Sequence, residues 1–222
     1  MFEAVIFDCD GVLVDSEALA LDVELDFLAS KGLIYDRADF ARRFIGMDSR
    51  AMDDALRTDS LTQTGTAFEQ IVMDDMRANR DALFARELKA IAGAKDSLTA
   101  FAGKRAIASS SRIAHLKTNL TRTGLDQLAY PHVYSAEQVQ AGKPSPDVFL
   151  HAAAQIGAAP SRCLVIEDSI NGVRAGVAAG MTVWGFLGGG HVWPELSGQL
   201  RSVGATEILA DHAAVTARLS AF

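Results

Sequence analysis

The sequence predicts an α/β fold, a doubly wound parallel-sheet core interrupted by an inserted all-helical domain, and three observations carry that prediction. Short apolar runs ending in small or acidic residues recur at Glu3 to Phe7, Lys104 to Ala108, His132 to Tyr134, Cys163 to Ile166, Thr182 to Phe186 and Glu207 to Leu209. Runs of that kind suit strands buried on both faces. Helix-length segments, such as Ser111 to Thr123, Pro146 to Ile156 and Ser169 to Ala179, lie between most of them with turn residues at their borders, and such alternation specifies a parallel sheet. Between Ser16 and Glu87 the rhythm stops. That stretch has only helical patterning, in Ala18 to Ser30, Arg37 to Arg43, Ser49 to Arg57 and Ala67 to Leu83. The expected organisation is a core made of residues 1–15 and 88–222 and a helical domain of residues 16–87. An insert placed directly after the first strand lies over the carboxyl edge of the sheet, where open α/β folds bind ligands.

A chain of 222 residues buries enough apolar surface for such a core and a smaller insert. Its net charge of -7 disfavours nucleic acid or an anionic membrane as a partner, so an anionic ligand must meet a locally positive pocket. The two cysteines, Cys9 and Cys163, have no metal-ligand or disulfide spacing and read as small buried apolar residues. The first apolar run, Val5-Ile6-Phe7, lacks the basic lead of a signal peptide, and no stretch reaches membrane-span length. A cytoplasmic protein, monomeric or weakly self-associating, is expected. Gly188-Gly189-Gly190 lacks the spacings of phosphate-binding glycine loops and reads as a flexible loop.

Four sets of polar residues fall just past four different strands. Asp8 and Asp10 follow the first; two residues apart on extended chain they share a face, and two carboxylates so placed repel unless a cation lies between them. They read as a nucleophile and an acid/base pair, or as a solvated strand end. Ser109, with Ser110 and Ser111, opens a helix whose free N–H groups suit a phosphoryl group, although a simple helix cap has the same look. Lys143 lies in Gly142-Lys143-Pro144-Ser145-Pro146-Asp147, where two prolines stiffen the backbone around the ammonium. Glu167 and Asp168 follow the apolar strand Leu164-Val165-Ile166. Together with Asp8 and Asp10 they make an oxygen-rich cage of the type that suits Mg²⁺.

The order and spacing of these sets resemble the haloacid dehalogenase superfamily over essentially the whole chain. Phe7-Asp8-Cys9-Asp10-Gly11-Val12-Leu13-Val14-Asp15-Ser16-Glu17 is similar to its first motif, Ile107-Ala108-Ser109-Ser110-Ser111-Arg112 to its second, Gly142-Lys143-Pro144-Ser145-Pro146-Asp147 to its third, and Val165-Ile166-Glu167-Asp168-Ser169-Ile170-Asn171-Gly172 to its fourth. The resemblance implies a Rossmann-like core with a helical C1 cap, and Mg²⁺-dependent phosphoryl chemistry on a small phosphorylated metabolite. It makes Asp8 the nucleophile and Asp10 the acid/base. Ser109 and the backbone of Ser110 would hold phosphoryl oxygens, while Lys143 would bridge phosphate and Asp8. Mg²⁺ would be held by Asp8, the Asp10 carbonyl and Asp168, with Glu167 as a ligand or an outer partner.

Asp10 argues for phosphatase over dehalogenase chemistry, because the halide-displacing members lack that second carboxylate. No lysine lies between Lys31 and Lys89 to serve a phosphonatase, and the place of the mutase-type cap histidine reads Glu17-Ala18-Leu19-Ala20. The expectation is therefore a phosphatase of sugar phosphates or sugar-acid phosphates; a beta-phosphoglucomutase-like mutase and a non-catalytic phosphometabolite-binding protein are the alternatives. Substrate contacts are expected from Ser110, Ser111 and Arg112, and, in the cap, from Gly46 with Arg43 or Arg50. Trp184, Phe186 and Trp193 read as packing residues.

Overall fold

The structure, a computed structural model, describes residues 2–47 and 49–222. Six parallel strands, β1 (Ala4–Phe7), β2 (Lys104–Ser109), β3 (Val133–Ser135), β4 (Cys163–Glu167), β5 (Thr182–Phe186) and β6 (Glu207–Leu209), form one sheet in the order β3-β2-β1-β4-β5-β6. The chain leaves central β1 in one direction to build β2 and β3, then returns to its other side for β4. That reversal puts the topological switch between β1 and β4, and a ligand crevice opens at such a point. Phe7 is in register with both Ile107 and Ile166, so Asp8 emerges between two neighbouring strand ends.

Alternation along β1 divides the core. Val5 and Phe7 face a cluster with Leu98, Leu116, Leu120 and Val215 of α5 (Ala94–Ala100), α6 (Ile113–Arg122) and α11 (His212–Leu219), beside the short α7 (Asp126–Ala129). Ala4 and Ile6 face Val148, Phe149, Val173 and Leu200 of α8 (Asp147–Gln155), α9 (Ile170–Ala178) and α10 (Leu196–Ser202). Burying one such large apolar side chain stabilises the fold by about 1.5–3 kcal/mol, so the two faces hold β1 from both sides.

Between β1 and α5 the described residues form four helices and no strand: α1 (Ser16–Ser30), α2 (Arg37–Phe44), α3 (Ser49–Thr64) and α4 (Gln70–Glu87). They enclose an apolar cluster of their own that includes Leu28, Phe40, Phe44, Leu56 and Met73. Asp36 caps α2 by accepting hydrogen bonds from the Ala38 and Asp39 N–H groups. All four helices have at least one boundary that differs from the sequence expectation. Helix α3 runs past Arg57 to Thr64, because Leu56 and Ser60 keep a buried stripe going. Helix α4 begins at Gln70 and not at Ala67, since the Phe68 N–H is taken by Ser60 Oγ at 2.8 Å. The short α5, α7, α10 and α11 were not foreseen. Ser109 and Glu167 prove to be the last residues of their strands, kept in the ladder by Ser135 and Gly185.

Candidate active site

The loop after β1 is held tightly. Leu13 and Val14 N–H groups both donate to the Cys9 carbonyl, Gly11 N–H donates to the Val14 carbonyl, and Cys9, Val12, Leu13 and Val14 are fully buried. Gly11 has φ +74°, and a Cβ there would lie 1.8 Å from Asp168 Oδ2. Only glycine fits. This turn puts the Asp8 side chain at the end of the sheet, beside those of β2 and β4.

Lys143 joins Asp8 to the fourth motif. Its Nζ donates to Asp8 Oδ1 at 2.8 Å, Glu167 Oε1 at 2.7 Å and the Ala108 carbonyl at 3.3 Å, with Phe149 beneath the ammonium. Burial opposes the charge of Lys143, but Asp8 and Glu167 outweigh it and raise its pKa well above the usual lysine value. Burial pushes the Asp8 carboxyl up, against the opposing pull of Lys143; Asp168 is pushed up by burial and then by Glu167. The second oxygen of Glu167 accepts from Ser169 N–H at 2.8 Å and Ser169 Oγ at 3.0 Å. Glu167 is thus a fixed clamp between β4 and the lysine loop.

Asp10 sits apart from this group. Its carboxylate accepts from Ser16 Oγ at 2.7 Å, Ser109 Oγ at 3.0 Å and Ser111 Oγ at 2.7 Å. Ser109 Oγ in turn accepts from Ser111 N–H at 2.9 Å. Three hydroxyls from two strand-end loops therefore fix the orientation of the Asp10 carboxylate.

Asp8, Glu167 and Asp168 each bring a carboxylate oxygen within 4.8 Å of the others. Among the described residues, Asp168 Oδ2 is buried without a hydrogen-bond partner. A buried, unpartnered anionic oxygen in an all-oxygen set fits a hard divalent cation. Asp10 adds no carboxylate to that set, because its side chain is committed to the serines.

A cleft of about 880 Å³, counted to its open mouth, connects the strand ends to the helices above. Asp8, Asp10, Ser109, Ser110 and Ser111 line its floor, and Phe40, Phe44, Gly46, Met47 and Met52 line its roof. Gly46 has φ +76°, and a Cβ there would lie 2.4 Å from Ser169 Oγ; its carbonyl accepts from Ser110 Oγ at 3.3 Å. The linker between α2 and α3 therefore rests directly on the second and fourth motifs.

Two of the expected substrate contacts are placed elsewhere. Arg43 is clamped by both oxygens of Asp59, half-exposed and outside the cleft lining, because that cap carboxylate is its nearer partner. Arg112 lies half-exposed beside Glu137, with 3.8 Å between them, and does not line the cleft either. Arg50 is exposed on the first turn of α3. The glycine run is also not a loose loop. Gly190 N–H donates to Asp15 Oδ1 at 2.9 Å, and a Cβ on Gly189 would meet the Gly11 carbonyl at 2.7 Å.

The far wall carries residues that no spacing or motif singles out, Glu17 excepted. Glu17, Glu24, Arg80, Asp81, His115 and Asn119 line the cleft, and Arg80 Nη1 donates to Glu24 Oε1 at 3.0 Å. Burial, then Asp10, pushes the Glu17 carboxyl up to about 8. Glu17 followed from its place in the first motif; Arg80, Asp81 and His115 lie on exposed-looking helical patterns with no distinguishing spacing.

The sequence profile described as haloacid dehalogenase-like hydrolase matches residues 2–180. The chain belongs to that family. It is similar to the 6-phosphogluconate phosphatase of Escherichia coli (strain K12), 28% identical over 193 residues, covering 86% of each chain. It is 32% identical to a phosphorylated carbohydrates phosphatase of Thermotoga maritima, over 81% of this chain and 82% of that one. A haloacid dehalogenase family hydrolase of Deinococcus radiodurans, solved with bound phosphate and sodium, superposes with a TM-score of 0.80 at 37% identity, covering 99% of this chain and 96% of the other. The expectation of a phosphatase with a Rossmann-like core is met by these relatives. Among the described residues no helix is long and apolar enough to cross a membrane.

Proposed function

We propose that this protein is a Mg²⁺-dependent phosphatase that releases inorganic phosphate from a sugar phosphate or sugar-acid phosphate through an aspartyl-phosphate on Asp8. The observation that carries the reading is the buried Lys143 ammonium, shared by Asp8 and Glu167 at 2.8 and 2.7 Å beside a separately held Asp10. A buried lysine between two carboxylates holds a nucleophile in place and offers positive charge where a phosphoryl oxygen arrives.

In this reading Asp8 Oδ attacks phosphorus as the ester oxygen leaves, and Asp10 gives that oxygen its proton. Asp10 then takes a proton from a water molecule, whose oxygen attacks the same phosphorus and frees Asp8. Ser109 and the Ser110 N–H bind phosphoryl oxygens. Asp8, Asp168 and the Asp10 carbonyl would hold the cation, with Glu167 the outer partner because both its oxygens are already engaged. When bound, the cation supplies charge neutralisation for the phosphoryl group.

Residues 16–87 act as a cap over residues 1–15 and 88–222, and the leaving group is read by the cleft's far wall. Glu17, with its raised pKa, both donates and accepts hydrogen bonds at neutral pH, as a hydroxyl-bearing substrate requires. The similarity to phosphatases named for 6-phosphogluconate and phosphorylated carbohydrates favours the same substrate class. Helix α1 brings Ala20 to the cleft where a mutase would place a histidine, which favours hydrolysis.

The test is phosphate release with Mg²⁺ across phosphorylated sugars, sugar acids, polyols and nucleotides, beside Asp8→Asn. Release by the wild type and a loss of at least ~10³-fold in the variant is the expected outcome. Wild-type turnover by Asp8→Asn would sink the nucleophile assignment, and isomerisation without release would make the protein a mutase.

A further inference from the structure

The Gly188-Gly189-Gly190 segment ends in a residue that none of the chemistry above employs. His191 is 2% exposed, and its ring is wedged against two glycines: a Cβ on Gly11 would lie 2.8 Å from Cε1, and one on Gly189 2.7 Å from the ring. Its Nε2 lies 3.1 Å from Asp168 Oδ2. Among the described residues, neither imidazole nitrogen nor that carboxylate oxygen has a hydrogen-bond partner. Three polar atoms are therefore buried together unsatisfied, one of them on a carboxylate of the candidate cation site. Interiors do not normally tolerate this, and such groups mark places where an ion or a small rearrangement completes the network.

His191 does not belong to the set of oxygens that can meet one ion. The group within reach of a common centre is Asp8, Glu167 and Asp168, and an imidazole is a poor ligand for a hard cation. A carboxylate that ligates a cation keeps lone pairs for an outer donor, and such donors fix its orientation. We propose that His191 is a positioning residue of the cation site: its Nε2–H donates to Asp168 Oδ2 and holds that carboxylate towards Asp8 when the divalent cation binds. The two close glycines fit this assignment. Gly11 and Gly189 have no side chain because the ring fills the space above the nucleophile loop, so the segment after β5 is attached to the site through the imidazole.

The proposal rests on the Mg²⁺ reading of the site, and the experiment separates the two. Mg²⁺ binding to the full chain is measured by calorimetry, and by the rise in melting temperature on adding Mg²⁺, for wild type, His191→Leu and His191→Gln. Leu keeps the volume without a donor; Gln keeps a donor at similar reach. His191→Leu is expected to bind Mg²⁺ about 10–100-fold more weakly, with His191→Gln within a few-fold of wild type. Equal loss in both variants assigns a packing role and overturns the proposal, as does wild-type affinity in His191→Leu. Should the leucine variant fail to fold, the unaltered protein decides: the imidazole ¹⁵N resonances of His191 shift on Mg²⁺ addition if the proposal holds, and stay in place if it fails. Absence of Mg²⁺ binding in the wild type would defeat the cation reading itself, and the His191 assignment with it.

Discussion

The floor and the roof of the cleft are built on different terms. At and beneath the floor, Asp8, Ser109, Lys143, Glu167 and Asp168 are all at least nine-tenths buried, four of them at or just past strand ends and Lys143 in the loop that leads into α8. In the helical roof several arginines lie on helix surfaces and pair with cap carboxylates: Arg37 with Asp22, Arg42 with Asp39, Arg43 with Asp59. Removing one partner of a buried ion pair leaves an uncompensated charge, whereas an exposed pair exchanges its partner for water. Charge is thus fixed in the core, where exchange with solvent is denied, whereas the exposed cap pairs tolerate change.

That contrast breaks first at Lys143. Lys143→Met strands Asp8 and Glu167 together in the interior; we expect at least ~10²-fold loss in kcat/KM and destabilisation of about 3–5 kcal/mol, read by phosphate release and denaturant unfolding. Retained stability with lost activity would show that the two carboxylates take up protons cheaply. The junction between the two regions comes next. Gly46→Ala puts a side chain into Ser169 at a positive φ, costing about 1–3 kcal/mol in the closed arrangement, so KM rises while unfolding of the core is unchanged. An unaltered KM would separate cap seating from substrate binding.

Glu17 gives a smaller, pH-dependent effect. Its folded pKa is about 8 against an ordinary 4.5, so between those values the folded state binds a proton that the unfolded state has lost. Stability then falls as pH rises from 4.5 to 8. Unfolding midpoints of the metal-free protein at the two ends of that range should differ less in Glu17→Gln than in wild type. The slope flattens without vanishing, because Asp8 and Asp168 are shifted in the same direction. Smallest of all is Arg43→Ala. Because Arg43 is itself 45% exposed and Asp59 keeps the Tyr35 hydroxyl as a donor, a change within about 1 kcal/mol in stability is expected, and within about twofold in kcat/KM. A large KM effect would return Arg43 to the substrate.

The parallel strands and the floor residues were legible because each carries a local signal. A buried strand needs an apolar run, and a carboxylate or serine stands at its end; Lys143, eight residues past β3, is marked instead by the prolines that follow it. The short α5, α7, α10 and α11 gave too few turns for a period to emerge. The far wall was not legible at all, because the meeting of Arg80 with Glu24 and of Asp81 with His115 depends on how α1, α4 and α6 pack and not on any spacing. Arg43 shows the limit from the other side. Its position beside Gly46 suggested a ligand contact, yet Asp59, on the next helix, captures it. Likewise the glycine run read as loose because its partners, Asp15 and Gly11, are distant in sequence.

The position of β1 has a consequence for synthesis. The strand that leads to Asp8 precedes the other five along this sequence, yet it occupies the middle of the sheet, with Lys143 joined to Asp8 across 135 residues and His212 bonded to the Val12 carbonyl across 200. Until the second half of the chain has emerged, Asp8 has neither its Lys143 partner nor its neighbouring strand β4. A growing chain therefore carries the Asp8 carboxylate without the partners that hold it, and the arrangement around it closes only once the residues of β4 have been delivered.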